Sequence, residues 1–127
     1  MPDYTFDHVH LRSPDPEATA AWFADKLGAQ VIRSMQAGKP RIDLKVGGAD
    51  IFIIQADASA AAAPSAPYQG IDHFGLSVTG LDAAVAGLKA KGVQFTMEPI
   101  EPRPGIRICF IRGPENISIE LLERTPV

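Results

Sequence analysis

Cysteine occurs once in the 127 residues, at Cys109, tryptophan once, at Trp22, and tyrosine only twice. A single cysteine excludes an intrachain disulfide and fits a reducing compartment. Both Cys109 and Trp22 read as structural. Excess positive charge is also missing. The formal net charge is −3, which leaves no basic face of the kind that nucleic acid requires. No apolar run approaches the roughly 18 residues of a membrane span, and Met1-Pro2-Asp3 does not open a signal peptide. These absences point to a soluble cytoplasmic protein with neither nucleic acid nor membrane as a partner. What remains is ordinary for a globular chain, 46 % apolar and 21 % charged, and long enough to bury a core as a single domain over 1–127.

Against that background one pattern occurs twice. Phe6-Asp7-His8-Val9-His10-Leu11 and Ile71-Asp72-His73-Phe74-Gly75-Leu76 both alternate apolar and non-apolar residues, the period of a half-buried strand. Each carries a histidine directly after an aspartate. The first strand runs from Tyr4 to about Arg12. Asp15 can then cap a helix, with Pro16 suited to its first position and Glu17 to the positive end of its dipole. Ala20, Phe23, Ala24 and Leu27 give that helix one apolar stripe, and Gly28 ends it. Strands follow at 30–35, 41–46 and 50–55, the last two joined by a tight Gly47-Gly48 turn. The alanine- and proline-rich stretch 56–69 reads as a linker. After it, a strand at 71–78, a capping-box helix opening at Thr79-Gly80-Leu81-Asp82 and closing at Gly92, and strands at 93–97, 106–112 and 116–123 repeat the order. Pro99 to Gly105 reads as a loop. His8 and His73 lie 65 positions apart, Gly28 and Gly92 64, and Gly47 and Gly113 66. A repeat of this length defines the fold, with module one at about 4–55 and module two at about 70–124.

Two βαβββ modules, a histidine on the first strand of each, the Leu27-Gly28 helix end, and the Gly113-Pro114-Glu115-Asn116 turn before Ile119-Glu120-Leu121-Leu122-Glu123 together resemble the vicinal oxygen chelate superfamily. That group includes glyoxalase I, methylmalonyl-CoA epimerase, extradiol dioxygenases, fosfomycin-resistance enzymes and bleomycin-binding proteins. The resemblance covers about residues 4 to 124. It implies an α+β fold in which tandem βαβββ modules form a cupped mixed sheet with helices outside, and it implies a homodimer. It does not imply one chemistry, because the superfamily hosts several.

Alternation assigns the faces. Val9, Leu11, Ile42, Leu44, Val46, Ile51 and Ile53 should pack on the helix. His8, His10, Arg12, Arg41, Asp43, Lys45, Phe52 and Ile54 are left on the other face. In module two that face takes His73, Gly75 and Ser77, then Arg107 and Cys109, then Ser118, Glu120 and Leu122. The glycine register pairs Glu120 with Ile54, 66 positions earlier. The fourth protein ligand of glyoxalase I and the epimerase is therefore lacking, and Gln55 faces away. The resemblance then implies metal ligation by His8, His73 and Glu120, two imidazoles and a carboxylate, a set that suits Fe(II) or Mn(II) and leaves open positions; Ni and Zn are further candidates. Arg41 and Arg107 are expected in equivalent slots, able to clamp a substrate carboxylate or phosphate, with Phe52 and Ile54 lining the same site. His10 or Asp43 would move a proton.

The leading expectation is a metal-dependent, glyoxalase-like lyase or isomerase acting on a small oxygenated, anionic metabolite whose enolate or similar anion the ion stabilises. One alternative is extradiol-type dioxygenation, although Phe110 stands where such enzymes carry a tyrosine. Another is fosfomycin-resistance-like transfer on the same His/His/Glu set. A third is a non-catalytic protein that binds a drug or metabolite, although such relatives generally lack the metal residues.

Overall fold

The structure, a computed structural model, describes residues 2–126. The βαβββ order occurs twice, each time as one helix and one four-stranded mixed sheet. The chain divides into two compact units, Met1–Ala61 and Ala62–Val127.

In the first unit, β1 (Val9–Ser13), α1 (Pro16–Leu27), β2 (Gln30–Gln36), β3 (Lys39–Val46) and β4 (Ala49–Gln55) build a sheet of order β1-β4-β3-β2. β1 runs parallel to β4, and the other neighbours are antiparallel. The helix begins where the capping chemistry requires: an Asp15 carboxylate oxygen accepts from the Ala18 N–H at 3.1 Å, and Pro16 opens the first turn. It ends at Gly28, whose φ of 67° few side chains tolerate. Ala20 and Phe23 of the helix and Ile42, Leu44, Val46, Ile51 and Ile53 of the sheet are buried together as the core. Two hydroxyls caught in it, Ser13 and Thr19, satisfy each other at 2.7 Å. The first strand is shorter than its sequence suggests, starting at Val9 instead of Tyr4. Val9 already pairs with Ile51, and β4 itself begins only at Ala49, so residues further back have almost no strand to pair with. Tyr4 and Phe6 are exposed.

In the second unit, β5 (Phe74–Ser77), α2 (Leu81–Ala90), β6 (Gln94–Arg103), β7 (Ile106–Arg112), a 3-10 turn (Pro114–Asn116) and β8 (Ser118–Arg124) follow the same plan, order β5-β8-β7-β6. Its core holds Leu81, Val85, Leu88, Val93, Cys109, Ile111, Ile119 and Leu121. Two local expectations are corrected. α2 has no capping box: Gly80, which has no side chain to cap with, occupies the N-cap. The Glu123 carboxylate on β8 accepts instead from the N–H groups of Gly80 at 2.6 Å and Leu81 at 3.3 Å. It satisfies donors that would otherwise be orphaned, at the positive end of the helix dipole. The expected loop 99–105 is mostly strand, since β6 continues to Arg103. Pro99 and Pro102 are tolerated because β6 is an edge strand and its pairing with β7 is broken by register shifts.

The ladders also correct the correspondence between the modules. His10 and Gly75 hold the same place, and their parallel partners are Phe52 and Glu120. The next strand agrees, with Asp43 opposite Phe52 and Phe110 opposite Glu120. The counterpart of Glu120 is thus Phe52, not Ile54. Counting from turn glycines failed because the turns differ in length. Val46 pairs with Ala49 across Gly47-Gly48, whereas Arg112 pairs with Ser118 across residues 113–117.

Candidate functional site

In the first unit the outward face of the sheet is organised by Phe52. The ring of His8, just before β1, stacks on it at 4.2 Å between centroids and 29° between planes. His10 meets the same ring edge-on at 5.9 Å. From β3, the Arg41 guanidinium lies 4.6 Å from the Phe52 centroid, within cation–π range. Arg41 Nε donates to Asp43 Oδ1 at 2.9 Å and Nη1 to Gln36 Oε1 at 2.7 Å. His8, His10, Arg41, Asp43 and Phe52 are therefore one cluster, with Ile54 exposed further along the same strand face. Gln36 was not foreseen, because it reaches the cluster only through the β2–β3 turn.

In the second unit, His73 Nε2 lies 3.2 Å from Glu120 Oε1, and its Nδ1 lies 2.7 Å from Asp72 Oδ2. The Phe110 ring meets the imidazole edge-on at 4.8 Å. Gly75 is Glu120's parallel partner, and a Cβ there would stand in ordinary van der Waals contact with Oε1, at 3.4 Å. The acid–base logic of this pair is specific. When Nδ1–H donates to Asp72, Nε2 offers a lone pair towards a carboxylate oxygen. Two acceptors at that separation attract only with a proton or a cation between them. An Nε2 ligand fixed through Nδ1–H by a carboxylate, beside a second carboxylate ligand, is a chemically fitting donor set for a divalent metal. His8 repeats the device, its Nδ1 lying 2.7 Å from Asp7 Oδ2. The Asp-His dipeptides signalled this in both copies, although only the histidines had been given a role. Among the described residues no group of three or more His, Cys, Asp or Glu side chains is gathered for a metal; what stands assembled is the His73–Glu120 pair.

Arg107 and Cys109 are not on the face of Glu120. Cys109 and Ile111 are fully buried in the core, and Arg107 shares their side of β7. Its Nη2 donates to Asp82 Oδ1 at 2.8 Å, on the first turn of α2. The ladder makes Ile108, not Arg107, the counterpart of Arg41. The parity of β7 was misread because its residues on the two sides are almost equally apolar. Burial pushes the Cys109 thiol up, which removes it as a thiolate nucleophile.

The hydrogen bond from Arg107, aided by its charge, holds the Asp82 carboxyl below its ordinary value of 3.8. A carboxylate with a depressed folded-state pKa stabilises the fold above the unfolded value, and that contribution is lost as pH falls through the folded value. Urea titrations from neutral pH down to about pH 3 should therefore show a shallower acid loss in Arg107→Met than in the parent. Identical acid limbs would show that the ion pair contributes nothing.

Comparison with known proteins follows the same architecture. A Bacillus subtilis (strain 168) protein, YwkD, is 30 % identical over 123 residues, covering 92 % of this chain and 94 % of that protein. An Arabidopsis thaliana protein named as a probable chloroplastic lactoylglutathione lyase is 29 % identical over 124 residues, of which this chain spans only 35 %. The crystal structure of a glyoxalase family protein from Enterococcus faecalis superposes with a TM-score of 0.76 at 25 % identity, over 94 % of this chain and 97 % of that one. Residues 5–121 match a single family across both βαβββ units, and the chain belongs to it: the Glyoxalase/Bleomycin resistance protein/Dioxygenase superfamily.

Proposed function

We propose that this protein is a metal-dependent enzyme, a glyoxalase-like lyase or isomerase acting on a small oxygenated, anionic metabolite. The observation that carries the reading is the His73–Glu120 pair, with the imidazole fixed by Asp72. His8, fixed in the same way by Asp7, is the third proposed ligand. A divalent ion so held (Fe, Mn, Ni or Zn) would supply Lewis acidity, polarising neighbouring substrate oxygens and stabilising negative charge as it develops. The chain's own side chains divide the remaining work. Asp43 is engaged with Arg41, which makes it a positioning residue. His10 is exposed and makes ring contacts but no side-chain hydrogen bond among the described residues, and it is the group we assign to proton movement. Arg41 faces the substrate's anionic end, whereas Arg107, turned towards α2, is left out. Phe110 beside His73 has no hydroxyl to give a proton, which favours the lyase or isomerase reading over ring-opening dioxygenation. The likeness of this chain to part of a probable lactoylglutathione lyase supports the same direction. With one buried cysteine and no helix among the described residues long and apolar enough to cross a membrane, the reading is of a cytoplasmic enzyme; the resemblance adds a homodimer.

Elemental analysis tests it. Protein purified without added metal, then exposed to Fe, Mn, Ni and Zn in turn, should retain one of them at about one ion per chain through gel filtration. Neither bound metal at purification nor uptake of any of the four would overturn the reading.

A further inference from the structure

We propose that the outward face of the second unit binds an apolar arm of the substrate that ends in a second anion, the arm running from the His73–Glu120 pair across Ile108 and Leu122 to a clasp formed by Arg103 and Arg124. It rests on the enzyme reading only in naming the occupant as substrate.

Three rows of side chains cross this face. Cross-strand partners share a side of the sheet, and the ladders align Glu120 with Phe110, Leu122 with Ile108 and Ile100, and Arg124 with Ile106 and Arg103. Alternation keeps all three rows on the side away from the buried Cys109 and Ile111. β6 stays in phase because its register shifts spend three residues for two of β7, so that Met97, Ile100 and Arg103 meet Phe110, Ile108 and Ile106. Along β8 the face therefore changes from carboxylate to apolar to cationic over the four residues from Glu120 to Arg124, about 13 Å of strand. The first unit is built differently in the equivalent row, with Arg41 in the place that Ile108 holds here.

What the strip lacks decides its occupant. Arg103 and Arg124 are exposed, and neither makes an ion pair or a side-chain hydrogen bond among the described residues. The carboxylates nearest to them in sequence are engaged elsewhere. Glu98 is bound to Lys89, Glu123 accepts from the first N–H groups of α2, and Glu101 acts on Arg107, whose guanidinium is turned towards that helix. Two arginines two strand spacings apart, about 10 Å between Cα atoms, can close on a single carboxylate or phosphate. Between them and Glu120 the strip is apolar, with Ile100 46 % exposed and Ile106, Ile108 and Leu122 partly so. An apolar lining with a few polar groups at its ends suits a small amphipathic anion. A second copy of this chain laid on the strip would instead bring two more arginines and no free carboxylate, since Glu120 already stands against His73.

Octanoate, acetate and octanol separate the arm from the anion. The full chain, stripped of metal with a chelator and labelled with 15N, is titrated with each and followed by amide shifts. Octanoate should move amides of β6, β7 and β8 around Ile100, Ile108 and Leu122, and bind about tenfold or more tighter than acetate, because several methylenes leave water. Arg103→Gln combined with Arg124→Gln should weaken octanoate about tenfold, the scale of lost hydrogen bonds to a charged group, and leave octanol unchanged. Ile100→Ser, at an exposed edge that the core does not depend on, should weaken octanoate and octanol alike. Octanoate no tighter than acetate, equal octanoate affinity in the parent and the arginine variant, or shifts confined to other strands would overturn the proposal. Amides of the same strip that move with protein concentration alone would assign it to a second copy of the chain, and would overturn it as well. Because no metal is present, each of these results leaves the metal reading to its own test.

Discussion

Phe23→Ala is expected to lower the stability of the first unit by about 3–5 kcal/mol, the usual cost of emptying a buried phenylalanine site. Phe23 has no exposed surface and stands in the middle of α1, where the helix meets the sheet. Its ring also meets Trp22 edge-on at 5.1 Å, so truncation removes an aromatic contact as well as burial. The opposing residues Leu44, Ile51 and Ile53 are strand side chains tied by ladders on both sides, and they cannot close over the cavity without breaking register. The sole tryptophan is the neighbouring residue, which makes Trp22 fluorescence a direct reporter. With urea slopes of about 1–3 kcal/mol per M, the midpoint should fall by 1 M or more. A shift worth less than about 1 kcal/mol would mean that α1 contributes little to holding this unit together.

The second large effect concerns metal retention. His73→Ala and Glu120→Ala should each abolish retention through gel filtration, while the far-UV circular dichroism of the parent persists. Both side chains are off the core side of the sheet, and neither is fully buried. Asp72→Asn should be milder, about 10–100-fold in affinity, because it only loosens the orientation of the ring it supports. The gradation decides between two accounts of the His73–Glu120 contact. If the pair exists simply as an ion pair, replacing Asp72 leaves metal content unchanged, since there is no metal to lose. If it is a ligand pair, the three variants fall in the stated order. Elemental analysis and competition with a chromogenic chelator read both outcomes.

Much of this was legible in the residues. Alternating apolar positions gave the strands, and the Asp15-Pro16 start and Gly28 stop fixed α1 to the residue. The internal repeat exposed the tandem βαβββ plan. The errors share one physical origin: sequence patterns report local periodicity, whereas pairing is decided by the partner strand. β1 looked long because Tyr4 and Phe6 continue its alternation, but β4 offers no backbone opposite them. β6 looked short because Pro99 and Pro102 discourage strands, but an edge with shifted register accepts them. Arg107 looked like a partner for Arg41 because both are arginines at similar offsets, but the cores around Cys109 and Ile111 set the parity of β7. Around the histidines, residue type and spacing singled out His8, His73, Glu120 and Phe52, and the structure places His73 beside Glu120 and His8 on Phe52. The contacts that Asp7, Asp72 and Gln36 make, and the stacking of His8 and Arg41 on Phe52, depend on side-chain approach and were not legible.

The unequal turns, two residues after β3 and five after β7, have a consequence for anyone who would rebuild this protein. Module symmetry invites the restoration of a second carboxylate in the first half, and an alignment anchored on the turn glycines would write it at Ile54. The ladders show that the substitution equivalent to Glu120 is Phe52→Glu. That change would remove the ring on which His8 stacks and over which Arg41 is held. Adding a carboxylate and keeping the aromatic platform under His8 and Arg41 are thus competing uses of a single position, and a designed variant can have one of them only by giving up the other.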